Sequence, residues 1–290
     1  MKRKKPMNLY VMDVIKSRGA LPHEFENYRS NLEFGYRHEC HIDDIIDSVN
    51  GPWLIIKGFS YNELFEDKYQ IDTILLTGDE AFLHEIKAYR TDVEFRNDFL
   101  INGNGTFINN PLTQAKGASE KFTDLLTRLD INLKITYYVI IATEGGIVYD
   151  MPRDTKILLR DQVRKYAQDL ATTVTPANNR TQKYFGMIDR YNVDKSNLWP
   201  DMPRYRFDNM RKGIYFTCCG KEVPPFEKYS KIIRCQNCDR RFNTLELTQK
   251  ELNDYRILFN DEPTIKRLHD WIGGRILIRN LYNWRAKGLL

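Results

Sequence analysis

The chain has 290 residues, 42% of them hydrophobic and 29% charged, and its 44 Lys and Arg against 39 Asp and Glu leave a formal net charge of +5. That length holds one sizeable core plus an accessory piece, since domains run about 100–200 residues, and so mild a charge does not by itself mark a nucleic-acid binder. The longest apolar run, 137–142, falls far short of the about 20 residues that cross a bilayer, and Asp13 interrupts the stretch after the basic start MKRKKP; with a mean hydropathy of −0.55, a soluble, cytoplasmic protein without a signal peptide is expected.

Residues 1–20 read as a basic N-terminal segment, its opening most simply a disordered end able to touch a phosphate backbone. Phe25, Tyr28, Leu32, Ile42, Ile45 and Ile46 stand at helical spacing, which predicts two helical segments meeting near Gly35. Gly51-Pro52 stops the second. Residues 53–59, 69–77 and 81–89 read as strands, the last two joined by a tight turn at Gly78-Asp79. The Asn- and Gly-rich stretch 97–109 predicts a loop or small hairpin. Asn110-Pro111 then supplies a cap and a first helical residue, and Leu112, Ala115, Ala118, Phe122, Leu125, Leu126 and Leu129 follow at a spacing near 3.6. This helix feeds KITYYVIIA, a continuous buried-strand pattern of the kind found where a helix crosses over a sheet.

A helix is expected over about 158–171, an irregular linker over 173–210, a cysteine-bearing module over 211–247, and helices at 248–259, 264–272 and 275–287 in a tail covering 248–290. The fold class is therefore α/β, with the order helix, three strands, helix, strand inside a domain spanning 21–172.

The stretch YQIDTILLTGDEAFLHEIKAY, 69–89, carries the chemistry. Residues two apart share one face of a strand, so Gln70 pairs with Asp72 and, on the next strand, Glu85 with Lys87. Acids facing acid-x-lysine give oxygen ligands for a hard cation beside one fixed positive charge. Phosphodiester hydrolysis uses this combination: the metal polarises the phosphoryl oxygen and acidifies the attacking water, and the ammonium stabilises the charge that develops. An acid-x-lysine pair alone is more often a surface ion pair. Here the acids lie in strands flanked by Ile71, Ile74, Leu75, Leu83 and Ile86, where unpaired charge is costly to bury.

These residues resemble the nuclease-related domain (NERD) family of the PD-(D/E)xK nuclease superfamily, with Asp72, Glu85, Ile86 and Lys87 matching its D…ExK signature. GYRHE at 35–39 is similar to the Gly-x-x-Gly-Glu element of the family's first helix, with His38 in place of the second glycine, and Glu39 is the acid that the resemblance brings to the metal site. NPLTQA at 110–115 resembles the start of the family's crossover helix and implies that Asn110 and Gln114 line the cleft. The resemblance covers about 30–150 and implies a restriction-endonuclease-like αβββαβ core with a mixed sheet, and Mg²⁺ held by Glu39, Asp72 and Glu85.

Five cysteines, one at Cys40 and four between 218 and 238, suit metal binding in a reducing compartment better than a disulfide framework. Cys235 and Cys238 form a CxxC knuckle. With Cys218 and Cys219 upstream they predict a zinc-ribbon-like Zn²⁺ site. Phe216 stands where a ribbon's first cysteine would be, so a three-cysteine site, or none, stays open. In the tail, two helical patterns are separated by Gly273-Gly274, and Arg275, Arg279 and Arg285 after it suit either phosphate contacts by a helix-turn-helix or plain packing of amphipathic end helices.

The leading expectation is a Mg²⁺-dependent nuclease acting on DNA, with Lys87 serving the transition state, Gln70 auxiliary, and the zinc module and tail gripping nucleic acid. A non-catalytic DNA-binding protein on a nuclease-like scaffold and an RNA-acting nuclease are the rivals.

Overall fold

A computed structural model describes residues 2–61, 69–96, 99–143, 145–153, 156–192, 203, 205–224 and 231–290. The chain divides into two compact units, 1–5 with 31–197 and 6–30 with 198–290. Helix α1 (Met7–Ser17) belongs to the second unit, and α2 (Glu26–Asp47) runs unbroken across the division. The expected break near Gly35 does not occur. A Cβ there would meet nothing within 4 Å, so this glycine serves no turn and simply continues the helix. Such a residue costs about 1 kcal/mol relative to Ala, which burial of Ile42 and Ile46 readily offsets.

In the first unit the chain continues through β1 (Leu54–Tyr61), β2 (Tyr69–Leu76) and β3 (Glu80–Lys87). Next come three short strands, β4 (Val93–Arg96), β5 (Phe99–Asn102) and β6 (Phe107–Asn109), then helix α3 (Pro111–Arg128) and strand β7 (Lys134–Ile141). β8 (Val148–Tyr149), β9 (Ile157–Leu159), α4 (Val163–Thr173) and α5 (Asn179–Asp189) complete the unit. The main sheet has the order β1-β2-β3-β7-β9. Its first three strands are antiparallel, whereas β3 pairs with β7 and β7 with β9 in parallel. A parallel neighbour requires a crossover, and α3 is that crossover. The result is the mixed α/β sheet expected from the sequence.

Both faces of the sheet are covered, which is why β2 and β3 read as near-continuous apolar runs. On one face Ile74, Leu76, Ala81 and Leu83 pack with Phe122, Leu125 and Leu126 of α3. On the other, Leu75, Phe82, Ile86 and Ile140 pack with Ile42 and Ile46 of α2 and with Val163 and Ala167 of α4. The start of α3 is fixed by the Asn110 side chain, which accepts from the Leu112 N–H at 2.9 Å, with Pro111 in the first turn. Asn110→Ala removes that cap and is expected to lower stability by about 1 kcal/mol, read as an earlier midpoint in urea denaturation.

Two sequence expectations need correction. The stretch 173–210 is not wholly irregular: Asn178 caps α5 by accepting from the N–H groups of Arg180 and Thr181, and Ile188 is fully buried in the sheet's core. The basic start is not a loose end either, because Arg3 is only 8% exposed. The expected hairpin within 97–109 is present as β5 and β6, part of a second sheet of order β6-β5-β4-β8.

The second unit adds the hairpin β10 (Ile232–Arg234) and β11 (Arg241–Asn243) and the helices α6 (Thr244–Phe259), α7 (Ile265–Trp271) and α8 (Ile278–Ala286). Its core joins Val11, Val14 and Ile15 of α1 to Phe216, Cys235, Leu252, Leu268, Trp271 and Leu281. No helix among the described residues is long and apolar enough to cross a membrane.

Candidate active site and metal centre

Pairing between β2 and β3 runs only from Leu76↔Ala81 to Thr73↔His84. Beyond that point Ser60↔Gln70 and Phe59↔Ile71 hold β2 to β1, while Glu85↔Val139 and Lys87↔Ile141 hold β3 to β7. The two strands therefore part at the acids rather than forming one continuous hairpin. Asp72 bridges the gap, its Oδ2 accepting from the Ile86 N–H at 2.8 Å and its Oδ1 from Gln70 Nε2 at 2.8 Å. A buried carboxylate thus replaces the missing rung of the ladder.

Glu85 and Asp72 are both buried, and Lys87 Nζ lies 2.8 Å from Glu85 Oε1. Burial first, then the charge of Asp72, raises the Glu85 pKa to about 8; Lys87 opposes this through its charge and hydrogen bond, and Glu39 adds to it. Like charges crowded at a buried site hold a proton that a bound cation could displace. Glu39 approaches from α2 and carries Arg3 Nη1 at 2.9 Å.

Asn110 and Gln114 lie at the start of α3. The former is occupied as the helix cap, and the latter is exposed. The three carboxylates do not close into a tight ligand cage. Among the described residues, the one group of three or more His, Cys, Asp or Glu with ligand atoms all within 4.8 Å of one another is Cys218, Cys235 and Cys238.

That cysteine group sits on two turns. At the first, the Phe216 N–H donates to Lys221 O and the Gly220 N–H to Phe216 O, with Gly220 at φ +66. At the second, between β10 and β11, the Cys235 N–H donates to Arg240 O at 2.9 Å. Backbone N–H groups of Asn237 and Cys238 and the neighbouring thiols pull Cys235 down to about 7 against the burial that would raise it, as suits a thiolate ligand. Phe216, in the place of a ribbon's first cysteine, packs against Phe242 with ring centroids 5.4 Å apart and is a core residue. Cys219 Sγ lies 3.7 Å from Cys235 Sγ but outside the triple. Zn–S bonds of about 2.3 Å in a tetrahedron put sulfurs about 3.8 Å apart, so the spacing and chemistry of the donors fit Zn²⁺.

In the tail, Arg275 donates to Glu222 at 2.8 Å, and Arg285 to Glu262 and to Pro263 O at 3.1 Å. Arg279 is exposed on α8. Gly273 and Gly274, both at φ +65, make the turn after α7, and a Cβ at Gly273 would lie 3.2 Å from Lys212 O.

Sequence reasoning missed Arg3, Asp43, Thr73 and Lys57. Asp43 was within reach of it, since it lies one helical turn after Glu39 and shares its face. Arg3 carries no local signal, because its partners are 36 to 70 residues away.

His84 lies beside Glu85 in sequence but on the opposite face, donating to or accepting from Tyr166 Oη at 2.9 Å. Burial lowers its pKa to about 4. The unfolded chain takes up this proton below about 6.5 and the folded chain only near 4, so stability falls as pH drops through that window. The loss is about 2 kcal/mol by pH 5. Glu85, with its raised pKa, acts in the opposite sense, so the comparison that isolates His84 is between the parent and His84→Phe. The urea midpoint of the variant should fall less between pH 7 and pH 5; equal slopes would refute the assignment.

An α/β protein with a mixed sheet, whose strand ends gather buried acids beside a lysine, has the build of a nuclease-type domain. Residues 34–142 match the family model of the Nuclease-related domain. Comparison with curated proteins and with solved structures gave no match.

Proposed function

We propose that the first unit is a Mg²⁺-dependent nuclease that hydrolyses DNA phosphodiester bonds. The observation that carries this reading is geometric: Asp72 and Glu85 are buried where β2 and β3 part, with Lys87 Nζ 2.8 Å from Glu85 Oε1. Glu39, Asp72 and Glu85 would hold Mg²⁺, which when bound polarises a phosphoryl oxygen and acidifies water. Gln70 and the Ile86 N–H fix the two oxygens of Asp72. Lys87, 31% exposed, is placed to meet the negative charge that builds on phosphate oxygens as the attacking oxygen bonds to phosphorus and the ester oxygen leaves. Asn110 and Gln114 would line the cleft.

Zn²⁺ held by Cys218, Cys235 and Cys238, with Cys219 at hand, would be structural. It would tie together the two turns that carry the cysteines. This module and Arg279, with Arg275 and Arg285 beside it, would contribute nucleic-acid contacts.

The test is incubation of the full chain with circular and linear DNA, and with RNA, with and without Mg²⁺, beside Asp72→Ala. Mg²⁺-dependent cutting of DNA that Asp72→Ala abolishes is expected. Cutting of RNA alone changes the substrate. Duplex binding with steep salt dependence and no cutting, unaltered by Asp72→Ala, makes the fold a binding scaffold.

A further inference from the structure

The guanidinium of Arg3 is engaged through all three of its nitrogens. Its Nε and Nη2 grip the two oxygens of Asp43 at 2.9 and 3.1 Å, Nη1 donates to Glu39 Oε2 at 2.9 Å, and Nη2 reaches Asp72 O at 2.7 Å and Thr73 Oγ1 at 2.8 Å. Its side chain is 3% exposed. Burial opposes its charge, but the Asp43 hydrogen bond and the charges of Glu39, Asp43 and Asp72 together hold its pKa above the ordinary arginine value. Gly58 of β1, which falls in the gap of the β1–β2 pairing between Lys57↔Thr73 and Phe59↔Ile71, has φ +72, and a Cβ there would lie 3.7 Å from Arg3 Nη1.

We propose that Arg3, carried in by the first few residues of the chain, is a positioning residue of the carboxylate site, setting Glu39 and the Asp72 backbone for a divalent cation. This rests on reading that site as metal-dependent. Arg3 touches one carboxylate assigned to the metal and the backbone of another, so it links α2 to β2 at the two places from which ligands project. Its fork on Asp43 and its bonds to Thr73 and Asp72 O are independent of Glu39. A cation arriving at Glu39 therefore has no need to expel the guanidinium, which distinguishes a support from a plug. Asp43, 3% exposed, has in addition Lys57 Nζ at 3.9 Å, so the grip persists while Glu39 changes partner. Outer residues that orient metal ligands are commonly worth 10–100-fold in metal affinity.

Arg3→Lys separates geometry from charge, because it keeps the positive charge and cannot span Asp43, Glu39 and the Asp72 carbonyl at once. Mn²⁺ binding to the full chain, followed by electron paramagnetic resonance, is expected to weaken about tenfold in Arg3→Lys, with DNA cleavage recovering at high Mg²⁺. Should Arg3→Lys not fold, Arg3→Met with Asp43→Asn removes both buried charges, and the same tenfold weakening is expected in it. Unchanged affinity, or tighter binding, in a folded variant overturns the proposal while the parent's binding and its loss in Asp72→Ala leave the nuclease reading intact. If the parent binds Mn²⁺ no better than Asp72→Ala, the metal-dependent reading falls, and the role of Arg3 falls with it.

Discussion

Lys87→Ala is expected to slow Mg²⁺-dependent DNA cleavage by roughly 10²–10³-fold, the usual cost of removing one preorganised group that meets transition-state charge. Stability, followed by urea denaturation, is read separately, because Lys87 is partly exposed but its partner Glu85 is buried. The variant also carries a second, independent signature. Lys87 pulls the Glu85 pKa down against burial and Asp72, so its removal lets that pKa rise. Any limb of the pH–rate profile that reports ionisation of Glu85 should then move to higher pH. Lys87→Arg should restore the position of the limb more fully than the rate, since it returns the charge without the compact ammonium. A Lys87→Ala protein that cuts as fast as the parent would defeat the assignment.

Much of the first unit could be read from its sequence because periodicity and turn chemistry agree there. Asn110-Pro111 before a 3.6-residue pattern marks α3, and Gly78-Asp79 between apolar runs marks the β2–β3 turn. The paired residues Gln70 with Asp72 and Glu85 with Lys87 follow from the two-residue period of a strand. What could not be read has a common cause. β4, β5, β6 and β8 are two to four residues long, too short for alternation to show. Gly35 looks like a break only because sequence cannot reveal that nothing crowds it.

The same limit applies at the two sites. At the carboxylates, sequence supplied the acids and the lysine but not the parting of β2 from β3 or the arginine that holds Glu39, since both depend on which strands stop pairing and what arrives from a distant segment. At the cysteines, spacing gave two turns. It could not tell that Phe216 turns into the core or that Cys219 stands outside the closest triple.

In the second unit, Arg18→Ala is expected to cost about 3–5 kcal/mol, the range for leaving one partner of a buried ion pair behind. Arg18 and Glu251 are fully buried and paired. Arg18 also donates to Arg211 O at 2.7 Å, and its guanidinium lies 3.4 Å from the Trp271 ring centroid. Glu251 in turn accepts from the Tyr215 N–H at 2.8 Å and has Lys250 at 3.1 Å, so it would not be wholly orphaned; that favours the lower half of the range. Burial already raises the Glu251 pKa, with Lys250 and Arg18 opposing, and losing Arg18 raises it further. A raised carboxyl favours the folded state as pH falls toward the unfolded value near 4.5, so the penalty measured by urea denaturation should shrink between pH 7 and pH 5. Replacing both partners, Arg18→Met with Glu251→Leu, removes the stranded charge as well as the attraction. This double variant should recover most of the lost stability. A double variant no more stable than Arg18→Ala would mean that the stacking on Trp271, rather than the ion pair, holds this unit together.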